Sequence, residues 1–212
     1  MRYVTVLAIA TLVLLAGCVE GKVDIPPRIV RGGSEAESLR ERKGIVRLHG
    51  RPATLLGPEL KTGDKAPDFR VVDQNFMKTG LKDFSKKVLV IFSVPSLETE
   101  VCREETARFN EEAAKLPDGV EVIAVSNDLP FTQSKFCGMI GDLKVEVLSD
   151  AVWRDFGKKY GVLIKDMGLL ARAVFVVNRK GVITYIEIVP DISKHPDYEA
   201  ALNAAKTAAA LK

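Results

Sequence analysis

Metal-ligating residues are scarce and scattered. Of two histidines and three cysteines in 212 residues, His49 and His195 stand far apart, and neither has a cluster of cysteines or carboxylates beside it, so no metal or flavin site is expected. No Cys-x-x-Cys pair occurs, which removes the dithiol–disulfide exchangers that depend on one. Charge of one sign is not in excess: a net charge of +3 with 28% charged residues gives no electrostatic case for nucleic acid as a partner. No apolar run is long enough for a membrane-spanning helix, and no internal repeat is visible. What is present, at 47% hydrophobic content, suffices for one domain with a real core and a modest extension.

Residues 1–17 read as a leader: Arg2, an apolar stretch over residues 3–16, then Leu15-Ala16-Gly17-Cys18. The stretch is about fourteen residues, too short to span a bilayer comfortably. Leu-Ala-Gly-Cys at this place resembles a bacterial lipobox, in which the cysteine is lipidated on its sulfur and becomes the new N-terminus. That resemblance implies an exported protein, anchored at a membrane surface of the bacterial envelope through Cys18, on the periplasmic or outer side. An uncleaved anchor or a plain secretory signal, with Cys18 incidental, would export the chain as well. Residues 18–44 then read as a flexible tether, polar and broken by Pro26-Pro27 and Gly32-Gly33. A coil of about 26 residues holds a domain roughly 30 Å from a bilayer.

The folded part, residues 45–212, opens with a hairpin over residues 45–48 and 51–56 about a His49-Gly50 turn. A short strand at 69–72 is expected at a sheet edge. Val88-Leu89-Val90-Ile91-Phe92 is continuously apolar, as a central strand covered on both faces should be, and Pro95 stops it. Beyond the bend, Cys102, Thr106, Phe109, Ala113 and Leu116 recur at spacings of four and three, one face of a helix. Residues 120–125 form a second buried strand. Asp128 as N-cap and Pro130 in the first turn start a helix over 131–136, with Cys137 near its end and Gly138 as its stop. A strand at 145–148, a helix at 151–160 carrying Trp153, Phe156 and Tyr160, a loop at 162–170, two strands at 173–177 and 182–188 about Asn178-Arg179-Lys180-Gly181, and a closing helix at 197–211 complete the order. Alternating strands and helices predict an α/β fold, a mixed sheet covered on both sides.

Cys102 falls in the first turn of its helix, where unfilled backbone N–H groups favour negative charge, and the thiolate is the reactive form of cysteine. Thr99, three residues earlier, is placed to cap the helix or to aim its hydroxyl at whatever the sulfur attacks. From this stretch alone, Cys102 is equally a small core residue and Thr99 only a cap.

Pro95-x3-Thr99-x2-Cys102 resembles the Pro-x3-Thr-x2-Cys signature of peroxiredoxins. Asn127-Asp128-Leu129-Pro130-Phe131-Thr132-Gln133-Ser134-Lys135-Phe136-Cys137 is similar to the second-cysteine segment of bacterial thiol peroxidases, the atypical two-cysteine peroxiredoxins. Gly168-Leu169-Leu170-Ala171-Arg172-Ala173 and Pro196-Asp197-Tyr198-Glu199-Ala200-Ala201-Leu202 resemble the same family. The resemblance runs from residue 45 to the C-terminus and implies a thioredoxin-like mixed sheet with helices on both faces, preceded by an N-terminal β-hairpin. It implies a thiol-dependent peroxidase acting on hydrogen peroxide and organic hydroperoxides, without a cofactor: Cys102 attacks the peroxide and becomes sulfenic acid, Thr99 and Arg172 hold the peroxide oxygens, and Pro95 shields the sulfur. Cys137 then forms an intramolecular disulfide, which a thioredoxin-like dithiol protein reduces. A homodimer is implied in the same way.

Position 98 departs from the family, with Glu98 where aspartate is usual; Glu98 is expected to cap or point outward. Glu100, Glu104 and Glu105 crowd the same helix start, where acids help the helix and oppose a thiolate. Two other readings stand beside the peroxidase. In an exported protein two cysteines so spaced commonly form a structural disulfide, and a thioredoxin-fold lipoprotein with such a Cys102–Cys137 bridge could serve only in binding or envelope spacing.

Overall fold

A computed structural model describes residues 39–211; the leader, Cys18 and most of the tether lie outside the described residues. Among the described residues ten strands, four α-helices and a 3-10 turn follow one another, β1 Glu41–Leu48, β2 Arg51–Leu56, β3 Val71–Val72, β4 Lys78–Thr79, the 3-10 turn Leu81–Phe84, β5 Val88–Ser93, α1 Glu100–Ala113, β6 Val120–Ser126, α2 Pro130–Ile140, β7 Glu146–Ser149, α3 Asp155–Lys159, β8 Leu163–Ile164, β9 Ala173–Val177, β10 Ile183–Ile188 and α4 Tyr198–Ala210. The main sheet has the order β10-β9-β5-β6-β7-β3-β4. β5 pairs parallel with β6 and antiparallel with β9, and β6 pairs parallel with β7. Each parallel pair needs a crossover, and α1 and α2 supply them.

β5 is buried along its whole length, and the two-residue side-chain period divides it between two cores. Val88, Val90 and Phe92 meet Phe109 of α1, Phe136 of α2 and Ala201 and Ala205 of α4; Phe92 stacks on Phe109 with ring centroids 4.5 Å apart. Leu89 and Ile91 face the other way, to Phe156, Tyr160, Leu163, Val46 and Leu55. Helices therefore cover both faces, as expected, but the second face has only the short α3 and completes its cover with the small sheet β1-β2-β8.

Several boundaries differ from those read in the sequence. β1 begins at Glu41, not 45, because Glu41, Arg42 and Lys43 pair with Leu56, Leu55 and Thr54 beyond a bulge. These polar residues carry no alternation to betray a strand. Arg42 is buried there and donates to the Gly161 carbonyl. The strand expected at a sheet edge over 69–72 is only β3, and it is not at the edge: it lies between β7 and β4, three positions away from β5, because β4 pairs along its outer side. Gly138 does not stop α2. The helix runs on to Ile140 and ends at Gly141, whose φ of 86° and ψ of −117° a residue without Cβ adopts freely. Residues 151–160 yield only α3, because Arg154 sits at φ 52°. Phe156 and Tyr160 enter the core, whereas Trp153 stays half-buried under Arg70, 5.3 Å from its guanidinium. The expected loop at 162–170 contains β8, whose pairing with β2 joins the hairpin to the body of the domain.

Candidate active site

α1 leaves the C-terminal end of β5 through Val94–Thr99. Pro95 is buried in that bend. Thr99 is the N-cap of α1 by backbone, with φ −91° and ψ 148°, but its hydroxyl caps nothing: Oγ1 donates to the Ser96 carbonyl at 3.0 Å. Its lone pairs are left to accept a hydrogen bond. Cys102 is the third residue of α1 and is fully buried, as its face with Thr106 and Phe109 requires.

Arg172 reaches the sulfur from β9, which it immediately precedes. It is among the largest fully buried side chains, 1% exposed, and its Nη2 donates to Cys102 Sγ at 3.4 Å. The Ile192 carbonyl holds the same fork, accepting from Nε at 3.1 Å and Nη2 at 2.9 Å. Nη1 pairs with Glu105. A guanidinium has five N–H donors; four are engaged in these bonds, which leaves one N–H on Nη1 that they do not use. Burial works against the charge on Arg172, but Glu105 and the Cys102 sulfur outweigh it and hold the guanidinium above its ordinary range. A permanent charge in a dry site stabilises a thiolate and any oxyanion that forms beside it.

Glu105 is the residue that sequence reasoning missed. Its neighbours in the crowded helix start, Glu100 and Glu104, are exposed, while Glu105 is 0% exposed. Burial pushes its carboxyl up to about 7 against the pull of Arg172, and its Oε1 has no hydrogen-bond partner. A signal exists in the spacing: Glu105 follows Cys102 by three, between Cys102 and Phe109 on the buried arc, and a buried carboxylate needs a cation. Glu98 is exposed, as expected.

The support behind Arg172 is tertiary. Ile192 belongs to the loop between β10 and α4, and that loop is bound to the hairpin through Arg47, whose N–H donates to the Pro190 carbonyl at 2.7 Å and whose carbonyl accepts from Ile192 N–H at 3.1 Å. The N-terminal hairpin thus fixes the carbonyl that fixes the arginine.

Cys137 lies in the second half of α2, half-buried against the same core cluster that contains Cys102. Both are free thiols. Burial pushes the Cys137 thiol up, so the two sulfurs are unlike: one lies against a guanidinium, the other is kept protonated. Asp128 is not the cap of α2 that its sequence position suggests. Leu129 takes that position without a side-chain bond, and the Asp128 carboxylate binds Ser96 Oγ and Leu97 N–H instead. The site residues expected from sequence therefore divide: Cys102 and Arg172 touch, Thr99 and Pro95 lie in the bend before Cys102, and Cys137 stands on the adjoining helix.

A mixed sheet of this order, with helices on both faces and a buried cysteine at the start of its first crossover helix, defines a thioredoxin-like protein with a candidate thiol site. The chain belongs to the Redoxin family, which it matches over residues 61–202. It is 50% identical over 152 residues to the thiol peroxidase of Oceanobacillus iheyensis, covering 72% of this chain and 92% of that one. With the Bacillus subtilis thiol peroxidase it shares 47% over 161 residues, 76% of this chain and 96% of the other. A peroxiredoxin-like protein from Aquifex aeolicus superposes with a TM-score of 0.73 at 44% identity, over 79% of this chain and 97% of that one. The enzyme class expected from the motif, a thiol peroxidase, is upheld by these matches.

Proposed function

We propose that the chain reduces hydrogen peroxide and organic hydroperoxides through Cys102, with Cys137 as its resolving partner. The observation that carries this is the Arg172 fork, with one arm on the Cys102 sulfur and one donor to spare. The sulfur attacks the terminal peroxide oxygen; the O–O bond breaks, water or an alcohol leaves, and the sulfur becomes sulfenic acid. The spare Nη1–H steadies the oxygen that gathers charge, and the Thr99 hydroxyl, its own proton spent on Ser96, accepts the O–H of the hydroperoxide. Pro95 keeps the bend closed to water. Local unwinding of the first turn of α1, and of α2 around Cys137, then brings Cys137 to the sulfenic acid, a disulfide forms and water leaves.

A dithiol protein of thioredoxin type reduces that disulfide. If lipidation of Cys18 anchors the chain outside the cytoplasm, the reductant belongs to the same compartment. Release of the protein from the membrane fraction by Cys18→Ala tests the anchor. The family resemblance also supports a homodimer, which sedimentation of the full chain tests. A purely structural disulfide is disfavoured by burial of a charged guanidinium against one of the two sulfurs, an arrangement that a bridge does not need.

The decisive experiment adds one equivalent of hydroperoxide to the reduced chain and maps its thiols by mass. Wild type should lose both Cys102 and Cys137 thiols, Cys137→Ser should stop at sulfenic acid, and Cys102→Ser should not react. A reactive Cys102→Ser variant refutes the assignment.

A further inference from the structure

The carboxylate of Asp128 makes a junction that none of the steps above uses. Oδ1 accepts from Ser96 Oγ at 2.7 Å, and Oδ2 accepts from Leu97 N–H at 2.7 Å and from Ser126 Oγ at 2.8 Å. The Asp128 carbonyl accepts from Ser149 Oγ at 2.6 Å. Gln133 of α2 enters the same group, donating to Ser126 Oγ at 3.1 Å and to the Leu148 carbonyl at 2.8 Å. Ser96 in turn holds Thr99, whose N–H and hydroxyl both donate to its carbonyl, at 3.1 and 3.0 Å. One side chain therefore joins the loop before the Cys102 helix to the start of the Cys137 helix, over the ends of β6 and β7.

The geometry points to Asp128 as a positioning residue that clamps the starts of the two cysteine-bearing helices together and so sets how readily they open to form the disulfide. This rests on the two-cysteine reading above. The argument is one of unequal satisfaction. In the closed arrangement the Ser96 hydroxyl and the Leu97 N–H, the latter on a residue only 2% exposed, have the carboxylate as acceptor. Once α1 unwinds at its start, water serves them as well. The bonds therefore weigh on the closed side, and their loss shifts the balance towards opening.

That balance has a chemical readout. The sulfenic acid on Cys102 has two fates. It condenses with the Cys137 thiol, an S–S bond forming as water leaves, or it takes a second oxygen from another hydroperoxide, giving sulfinic acid and releasing water or an alcohol. Easier opening favours the first. The same loosening displaces Thr99 and slows the first oxidation, so the clamp trades the speed of attack against the speed of closure.

The test titrates hydroperoxide against the full, reduced chain as wild type, Asp128→Ala, Asp128→Asn and Ser96→Ala, and measures disulfide and sulfinic acid by mass. Asp128→Ala, which loses all three bonds to the carboxylate, should need well over tenfold more peroxide to reach half sulfinic acid, since a single charge-assisted hydrogen bond is worth about tenfold, while sulfenic acid forms more slowly. Ser96→Ala, which loses one bond to the carboxylate and a longer one accepted from Glu98 N–H at 3.3 Å, should shift the same way by less, about tenfold. Asp128→Asn keeps one acceptor oxygen and should fall between wild type and alanine. If the alanine variant does not fold, the other two carry the test. Variants that melt earlier but keep the wild-type ratio of sulfinic acid to disulfide overturn the clamp and leave Asp128 a fold residue. Wild-type protein that makes no Cys102–Cys137 disulfide overturns the two-cysteine reading and the clamp with it.

Discussion

Replacing Arg172 by methionine should separate what this side chain does for the fold from what it does for the sulfur. Arg172 is 1% exposed and Glu105 0%, so Arg172→Met strands a buried carboxylate. Breaking a buried pair by removing one partner costs about 3–5 kcal/mol. The double variant Arg172→Met/Glu105→Gln leaves no charge to strand, and replacing a whole buried pair is commonly near neutral in stability, so most of that loss should return. Activity should not return. The donor at 3.4 Å from Cys102 Sγ is gone in both variants, and removing one donor aimed at developing charge lowers a rate by roughly 10² to 10³. Urea unfolding and the single-turnover rate of peroxide consumption, measured on wild type and both variants, check the two halves. A double variant that recovers its rate along with its stability refutes the role given to Arg172 at the sulfur.

Glu105→Gln should also remove a pH dependence. The folded carboxyl titrates near 7, raised from an ordinary 4.5. A raised carboxyl stabilises the fold fully below about 4.5, and that contribution is lost as pH rises to about 7, on the order of 3 kcal/mol. Denaturation midpoints at acid and neutral pH should therefore converge between wild type and variant at low pH and separate in the variant's favour above 7; parallel profiles would count against the buried-carboxyl account. At Gly161, φ is 67° and an added Cβ would meet the Pro58 carbonyl and approach Arg42 Nη2 to 2.8 Å. Gly161→Ala should cost more than about 1 kcal/mol and loosen the hairpin. Because Arg47 of that hairpin holds the Ile192 loop, peroxide consumption should fall too; a destabilised variant with an unchanged rate would show that the hairpin does not support Arg172.

The division between what was legible and what was not follows the range of the forces. Val88 to Phe92 announced a central strand because its character is local and continuous, and the Cys102 helix declared its buried face through spacing alone. The motif around Pro95, Thr99 and Cys102 is similarly contiguous, which is why the peroxidase class is legible in the chain itself. Short strands were blurred: β1 starts in polar residues, and β8 consists of two residues whose pairing with β2 is a long-range choice. The end of α2 at Gly141 rather than Gly138 was decided by where the chain had to turn, since both glycines lie in the same stretch.

Sequence by itself determined the periodicities and the contiguous motif around Cys102, because these depend on neighbours within a few turns of chain. Only the tertiary structure decided that Arg172 would meet the sulfur with Glu105 on its other arm, that Ile192 and the hairpin would hold it there, and that Asp128 would face the loop before α1 instead of capping its own helix. Those outcomes depend on which distant groups arrive in the same dry volume, where an unpaired charge or donor is costly enough to overrule any local preference.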